Sequence, residues 1–341
     1  MIVAATESFR FLLAKEAVMK PLKPALSSTD PRWIRPSTIL YASEAKPEEP
    51  AFSGALAMAQ EYGAKLILLH VFDVLATATE DASGMRAVHY ENALHRTEEK
   101  MEPMLQRARE KNVEAEVVVR TGIAATQILA CAHERDVDRI VMGTRAPGRL
   151  GKFFVGSVAE EVLRSATVPV VTFGPSALDP RVHAHKLRRL LCTVSHLSCD
   201  LAPALLAGQL AALHGAQLTV LHLVPPRATA PLDPGCSTAT LEAELKAMLP
   251  RELQYEILVR SLPADSLMAD EILFQAQQRQ SDLVVLGAHP ASLLATLTRQ
   301  GLVNQVLGKS MSPVMTIRHA VEQKQREVDY LSESTWMAGI F

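Results

Sequence analysis

Short apolar runs alternate with longer stretches of helical period along most of this chain. Runs at 38–43, 65–72, 115–120, 139–143 and 169–173 are rich in β-branched and aliphatic residues and mostly apolar. Strands buried on both faces of a sheet have this composition, because neither face alternates with water. Between them the spacing predicts helices over 51–62, 85–111, 124–135 and 154–165. The third places Ala125, Ile128, Leu129 and Ala132 on one side, as an amphipathic helix requires.

The whole pattern then recurs. Gly63-Ala-Lys-Leu-Ile-Leu-Leu-His-Val71 matches Gly215-Ala-Gln-Leu-Thr-Val-Leu-His-Leu223. Asp138-Arg-Ile-Val-Met-Gly143 matches Asp282-Leu-Val-Val-Leu-Gly287, and Val168-Pro-Val-Val-Thr172 matches Ser312-Pro-Val-Met-Thr316. The matches keep chain order at an offset of about 150, the signature of an internal repeat. Second-half strands are expected at 189–194, 217–224, 255–259, 283–287 and 314–318. Alternating strands and helices imply right-handed crossovers and a parallel sheet. The expected fold is therefore α/β: two tandem Rossmann-like domains, each a five-stranded parallel sheet with helices on both faces. The domains fall at 37–174 and 187–318, with a linker at 175–186, an N-terminal extension over 1–36 and a C-terminal tail over 319–341.

Composition narrows the partners. Among 341 residues, 35 are basic and 37 acidic, for a net charge of −2. Nucleic-acid binding leaves a concentrated basic footprint that this balance lacks. Cys131, Cys192, Cys199 and Cys236 form no C-x-x-C pair, so neither a disulfide framework nor a zinc site is expected. The stretch 201–226 has no Asp, Glu, Lys or Arg and is long enough to span a bilayer. Pro203, Gln209, His214, Gly215 and Gln217 interrupt it, and it reads as core rather than membrane. Glu7, Arg10, Lys15 and Glu16 break up the first twenty residues, which argues against a signal peptide. A cytoplasmic location is expected.

Candidate chemistry concentrates where the fourth strand ends. Met142-Gly-Thr-Arg-Ala-Pro-Gly-Arg-Leu-Gly-Lys-Phe-Phe-Val-Gly-Ser-Val158 is a Gly-rich, basic loop leading into a helix. In an open α/β sheet, ligands bind beyond the carboxyl ends of the strands. A helix start there offers unpaired N–H groups and a positive dipole end to an anion. His70 and His222 share one place on the second strand of each half and read as packed, hydrogen-bonded histidines. His183 and His185 form an H-x-H pair with no second ligand pair beside it. No nucleophile elbow, P-loop lysine or acid-base pair appears in a matching context, so the chain is not read as an enzyme.

These residues resemble the universal stress protein family, whose pattern after the fourth strand is G-x-x-G, nine residues, then G-[ST]. Here Gly143, Ala146, Gly156 and Ser157 hold those places. The Leu-Leu-His-Val second strand and the Val-Pro-Val-Val-Thr closing strand are similar too. The resemblance implies an adenine-nucleotide α-hydrolase-like fold and a stress-response function. It also implies an ATP site, with Mg2+, in the first domain only. The residues carried over are Glu44 and Val71 for the adenosine, and Gly143, Arg145, Gly156, Ser157 and Val158 for the phosphates. Ala146 departs from the second glycine, and a left-handed backbone there would cost about 1–2 kcal/mol. Glu44 is one methylene longer than the family's aspartate. In the second half Pro290, Gln300 and Leu302 replace loop residues and Ser195 the strand acid, so this half is expected to be structural. The resemblance further implies that the fifth strands of the two domains pair antiparallel, and it admits a homodimer. Two alternatives stay open: a regulatory or interaction module that binds no nucleotide, and a slow ATPase.

Overall fold

The computed structural model describes residues 30–45, 49–72, 85–144, 156–177, 187–195, 201–224, 238–261, 268–288 and 301–318. A short helix, α1 (Pro31–Ile34), precedes the first half. That half then runs β1 (Thr38–Ala42), α2 (Pro50–Tyr62), β2 (Lys65–Phe72), α3 (Met85–Glu110), β3 (Ala115–Thr121), α4 (Ala124–Glu134), β4 (Arg139–Gly143), α5 (Ser157–Ser165) and β5 (Val170–Phe173). The second half repeats it as β6 (Arg189–Ser195), α6 (Ala202–His214), β7 (Gln217–Val224), α7 (Thr238–Met248), β8 (Tyr255–Ser261), α8 (Met268–Gln278), β9 (Leu283–Ala288), α9 (Leu302–Lys309) and β10 (Val314–Arg318).

The ten strands form one sheet, in the order β3-β2-β1-β4-β5-β10-β9-β6-β7-β8. Within each half every strand pair is parallel. The halves meet where β5 and β10 run antiparallel, with Thr172 opposite Val314 and Val170 opposite Thr316. Gly174 follows β5 and lies against the carbonyl oxygen of Leu307 on α9, which leaves no room for a Cβ.

Side chains alternate between two cores. Ile39, Tyr41, Val141, Val171, Leu190 and Met315 face the layer of α2, α3, α6 and α7. Leu40, Ile140, Val170, Leu191 and Val314 face α4, α5, α8 and α9. Both cores include residues from both halves, so burial of apolar surface, the main stabilising term in folding, runs across the seam. α1 also crosses it, packing against α6 and burying Trp33.

The repeated Gly-Ala dipeptides end equivalent helices. Gly63 and Gly215 adopt left-handed φ of 64° and 61° after α2 and α6, and Ala64 and Ala216 donate back to Ala59 and Ala211 at 2.9 and 2.8 Å. This is the Schellman closure, which favours glycine at its left-handed position. The repeated aspartates also act alike. Asp138 accepts from the Ser37 and Thr38 amides and the Ser37 hydroxyl. Asp282 accepts from the Arg188 and Arg189 amides. Each carboxylate pins the start of its half's first strand to the start of its fourth.

Candidate functional site

In the first half the helix after β1 covers one face of the sheet and the helix after β4 covers the other. Because β1 and β4 are neighbours, their chains diverge and open a crevice at their carboxyl ends. This switch point is where open α/β sheets bind ligands.

Three segments border the crevice. The first is the end of β1, where Ser43 is nearly buried and Glu44 is exposed. Ala45 follows with a left-handed φ of 57°, and its amide donates to the Ser43 hydroxyl at 2.8 Å. The second is the end of β4 at Gly143. The chain leaves it still tied to β5, since the Thr144 amide donates to the Phe173 carbonyl at 2.9 Å. The third is the start of α5, which begins at Ser157, later than the sequence spacing suggests.

Gly156 caps α5 with φ −61° and ψ 150°, a conformation open to any residue. Among the described residues, a Cβ placed on it would meet nothing within 4 Å. Neither its backbone angles nor its described neighbours call for glycine here. Beside it stand the first-turn amides, which have no partner within the helix. Ser157 is exposed beside it, while Val158 is half-buried and anchors the turn to the core. Val71 lies on β2 near its carboxyl end, paired with Arg120 and packed on the same core. Arg145, Ala146 and the rest of the basic loop lie outside the described residues, as do His183 and His185.

Two residues missed by the sequence reading meet under the start of α2, beside Gly143. Tyr41 is fully buried, and its hydroxyl donates to Oε2 of Glu49. Burial, and then the Glu49 charge, push the phenol pKa far up. The other carboxylate oxygen, Oε1, fills the space a Cβ on Gly143 would need. The available signal was Pro50, which marks the first turn of a helix and so puts Glu49 at its cap. His70 is held by a 2.9 Å hydrogen bond between Nδ1 and the Ser43 carbonyl and an edge-on contact with Phe72, consistent with a packed histidine. Among the described residues no cluster of His, Cys, Asp and Glu could hold a metal, and no helix is long and apolar enough to cross a membrane.

The fold defines a doubly wound, Rossmann-like α/β protein, present in two tandem copies. A sequence model of the universal stress protein family matches residues 37–173 and 186–318, and the chain belongs to that family. A universal stress protein of Bacillus subtilis is 31% identical over 128 residues, covering 36% of this chain and 86% of that protein. One from Mycobacterium bovis is 23% identical over 202 residues, covering 56% of this chain and 67% of its own. Among solved structures, a universal stress protein from Archaeoglobus fulgidus superposes with a TM-score of 0.63 at 19% identity, over 83% of this chain and 96% of that one. A putative universal stress protein from Pseudomonas aeruginosa gives 0.54 at 18% identity, over 83% and 93%.

Proposed function

We propose that this is a stress-response protein of the cytoplasm that binds an adenine nucleotide in its first half and uses its second half as a structural partner. Gly156 carries the reading, because neither its backbone angles nor its described neighbours demand glycine there. A phosphate seated on the amides of Ser157 and Val158 does make that demand, since a side chain at 156 would stand in its path. The exposed Ser157 hydroxyl fits a phosphate oxygen or the Mg2+ that shares its charge. On this reading Glu44 and the backbone at Val71 hold the adenosine, and Gly143 serves the phosphates together with Arg145, which the family resemblance adds.

The second half supports a structural role. Gly301 keeps an extended cap before α9, but Leu302 follows it in place of a serine, so the hydroxyl is lost. The protein is proposed to bind rather than turn over its nucleotide, since the sequence carries no nucleophile elbow, P-loop lysine or acid-base pair in a matching context.

Equilibrium binding of labelled ATP to the full chain, with and without Mg2+, tests this. Saturable binding that disappears in the double variant Gly156→Val, Ser157→Ala is expected. Absence of binding under all conditions, or binding indifferent to those substitutions, would favour a regulatory module without a nucleotide. Phosphate release faster than that of the double variant would instead favour a slow ATPase.

A further inference from the structure

The seam between the halves holds a partly open cavity of about 50 Å³ on the side covered by α2 and α6. Met58 and Phe173 of the first half, with Leu210, Leu283 and Met315 of the second, give it apolar walls. Arg139 belongs to the same lining and is only 1% exposed. Its Nη2 donates to the Trp33 carbonyl, and its guanidinium lies over the Tyr62 ring. Its Nε–H, however, is buried with no hydrogen-bond partner. The two acids in the lining are tied to other groups. Asp282 accepts from the Arg188 and Arg189 amides, and Glu61 stands beside His214. A buried charge calls for a countercharge, and a buried donor for an acceptor.

We propose that this cavity binds a short-chain carboxylate, anchored on Arg139 with its aliphatic end among the apolar walls. The carboxylate brings both the missing acceptor and the negative charge, and its hydrogen bonds to a guanidinium are stronger than neutral ones. Water would bring the acceptor alone. The volume leaves room for a few water-sized groups, which suits an acid of a few carbons rather than a fused ring or a lipid. Apolar walls with a small number of polar anchors are the ordinary make-up of a small-molecule pocket. The repeat gives the second half Leu283 where the first has Arg139, and Leu283 is itself a wall of the same cavity. Arg139 begins β4 while Gly143 ends it. The site therefore stands apart from the crevice and does not rest on the nucleotide reading.

Butyrate is the probe, titrated against the full chain by calorimetry in low-chloride buffer, with butan-1-ol as its uncharged counterpart. Saturable binding of butyrate and none of the alcohol is expected. Arg139→Leu removes the anchor, and Met58→Trp fills the cavity while keeping the charge. Each should weaken butyrate binding at least about tenfold, with circular dichroism matching wild type. The double variant Gly156→Val, Ser157→Ala should leave it unchanged. No saturable binding by wild type, equal binding of the alcohol, or binding indifferent to Arg139→Leu overturns the proposal. Loss in Arg139→Leu but not in Met58→Trp overturns it too, because the anion then sits outside the cavity. Loss in the crevice double variant would place the anion in the crevice and overturns it as well. Should a variant fail to fold, the comparison of acid with alcohol needs wild type alone.

Discussion

Tyr62 on α2 and His214 on α6 share a 2.9 Å hydrogen bond across the two halves of the chain. The Arg139 guanidinium lies over the Tyr62 ring, 5.2 Å from its centre, and donates to the Trp33 carbonyl. Glu61 stands 3.8 Å from the other imidazole nitrogen. One small cluster thus joins α1, α2, β4 and α6.

Acid should loosen this cluster. Burial, reinforced by the charges of Arg139 and Arg35 and opposed by Glu61, holds the His214 pKa below its ordinary 6.5. The unfolded chain therefore takes up the proton first. The stability His214 contributes is complete above about pH 6.5 and is lost as pH falls from there toward the lower folded value. Urea midpoints at pH 7.5 and 5.5 should drop less for His214→Gln than for wild type. Identical drops would remove His214 from the account.

Gly54 is required by Phe173. A Cβ on this glycine of α2 would run into the Phe173 ring tip. The ring is buried in the core that spans the seam, so it has little room to yield. Gly54→Ala should cost about 1–3 kcal/mol, despite alanine's higher helix propensity. Adding Phe173→Leu should recover part of that loss in a double-mutant cycle followed by denaturant unfolding. Strict additivity of the two would contradict the contact.

Gln280 is strained in the opposite sense. It is exposed and sits after α8 with φ of 48°, a left-handed conformation that side chains resist. Gln280→Gly should raise stability by about 0.5–1 kcal/mol, seen as a higher urea midpoint. An unchanged or lower midpoint would show that relief of strain does not outweigh glycine's entropy.

Asp138 should matter more than its surface neighbours. Removing it leaves two strand amides and a hydroxyl without their acceptor. Asp138→Ala should cost about 2–3 kcal/mol. Hydrogen exchange should rise first at the amides of Ser37 and Thr38, and uniform loss of protection across the sheet would argue against a local clamp.

Much of this architecture could be read from the chain. Strands such as 65–72 and 217–224 are legible because both faces are largely buried and the run is mostly apolar. The Gly-Ala pairs at 63–64 and 215–216 betray themselves because a left-handed turn leaves few alternatives. The family resemblance also anticipated the antiparallel contact of β5 with β10. Asp138 and Asp282 stood out as repeated letters, but their role depends on partners about a hundred residues away in the chain, and no local pattern encodes that. Glu44 drew attention as the acid directly after β1, yet it is exposed. The carboxylate packed against Gly143 is Glu49, whose reach depends on where α2 begins. The packing of α1 against α6 was likewise out of reach, because four residues with one tryptophan carry no periodicity.

The reversal of direction between β5 and β10 turns the two halves head to tail, so that their switch points look out from opposite rims of the molecule. Nothing seated in one can touch the other. A change in the second crevice, such as Leu302 where the first half has Ser157, therefore leaves the first untouched, while β10 completes the sheet for both halves.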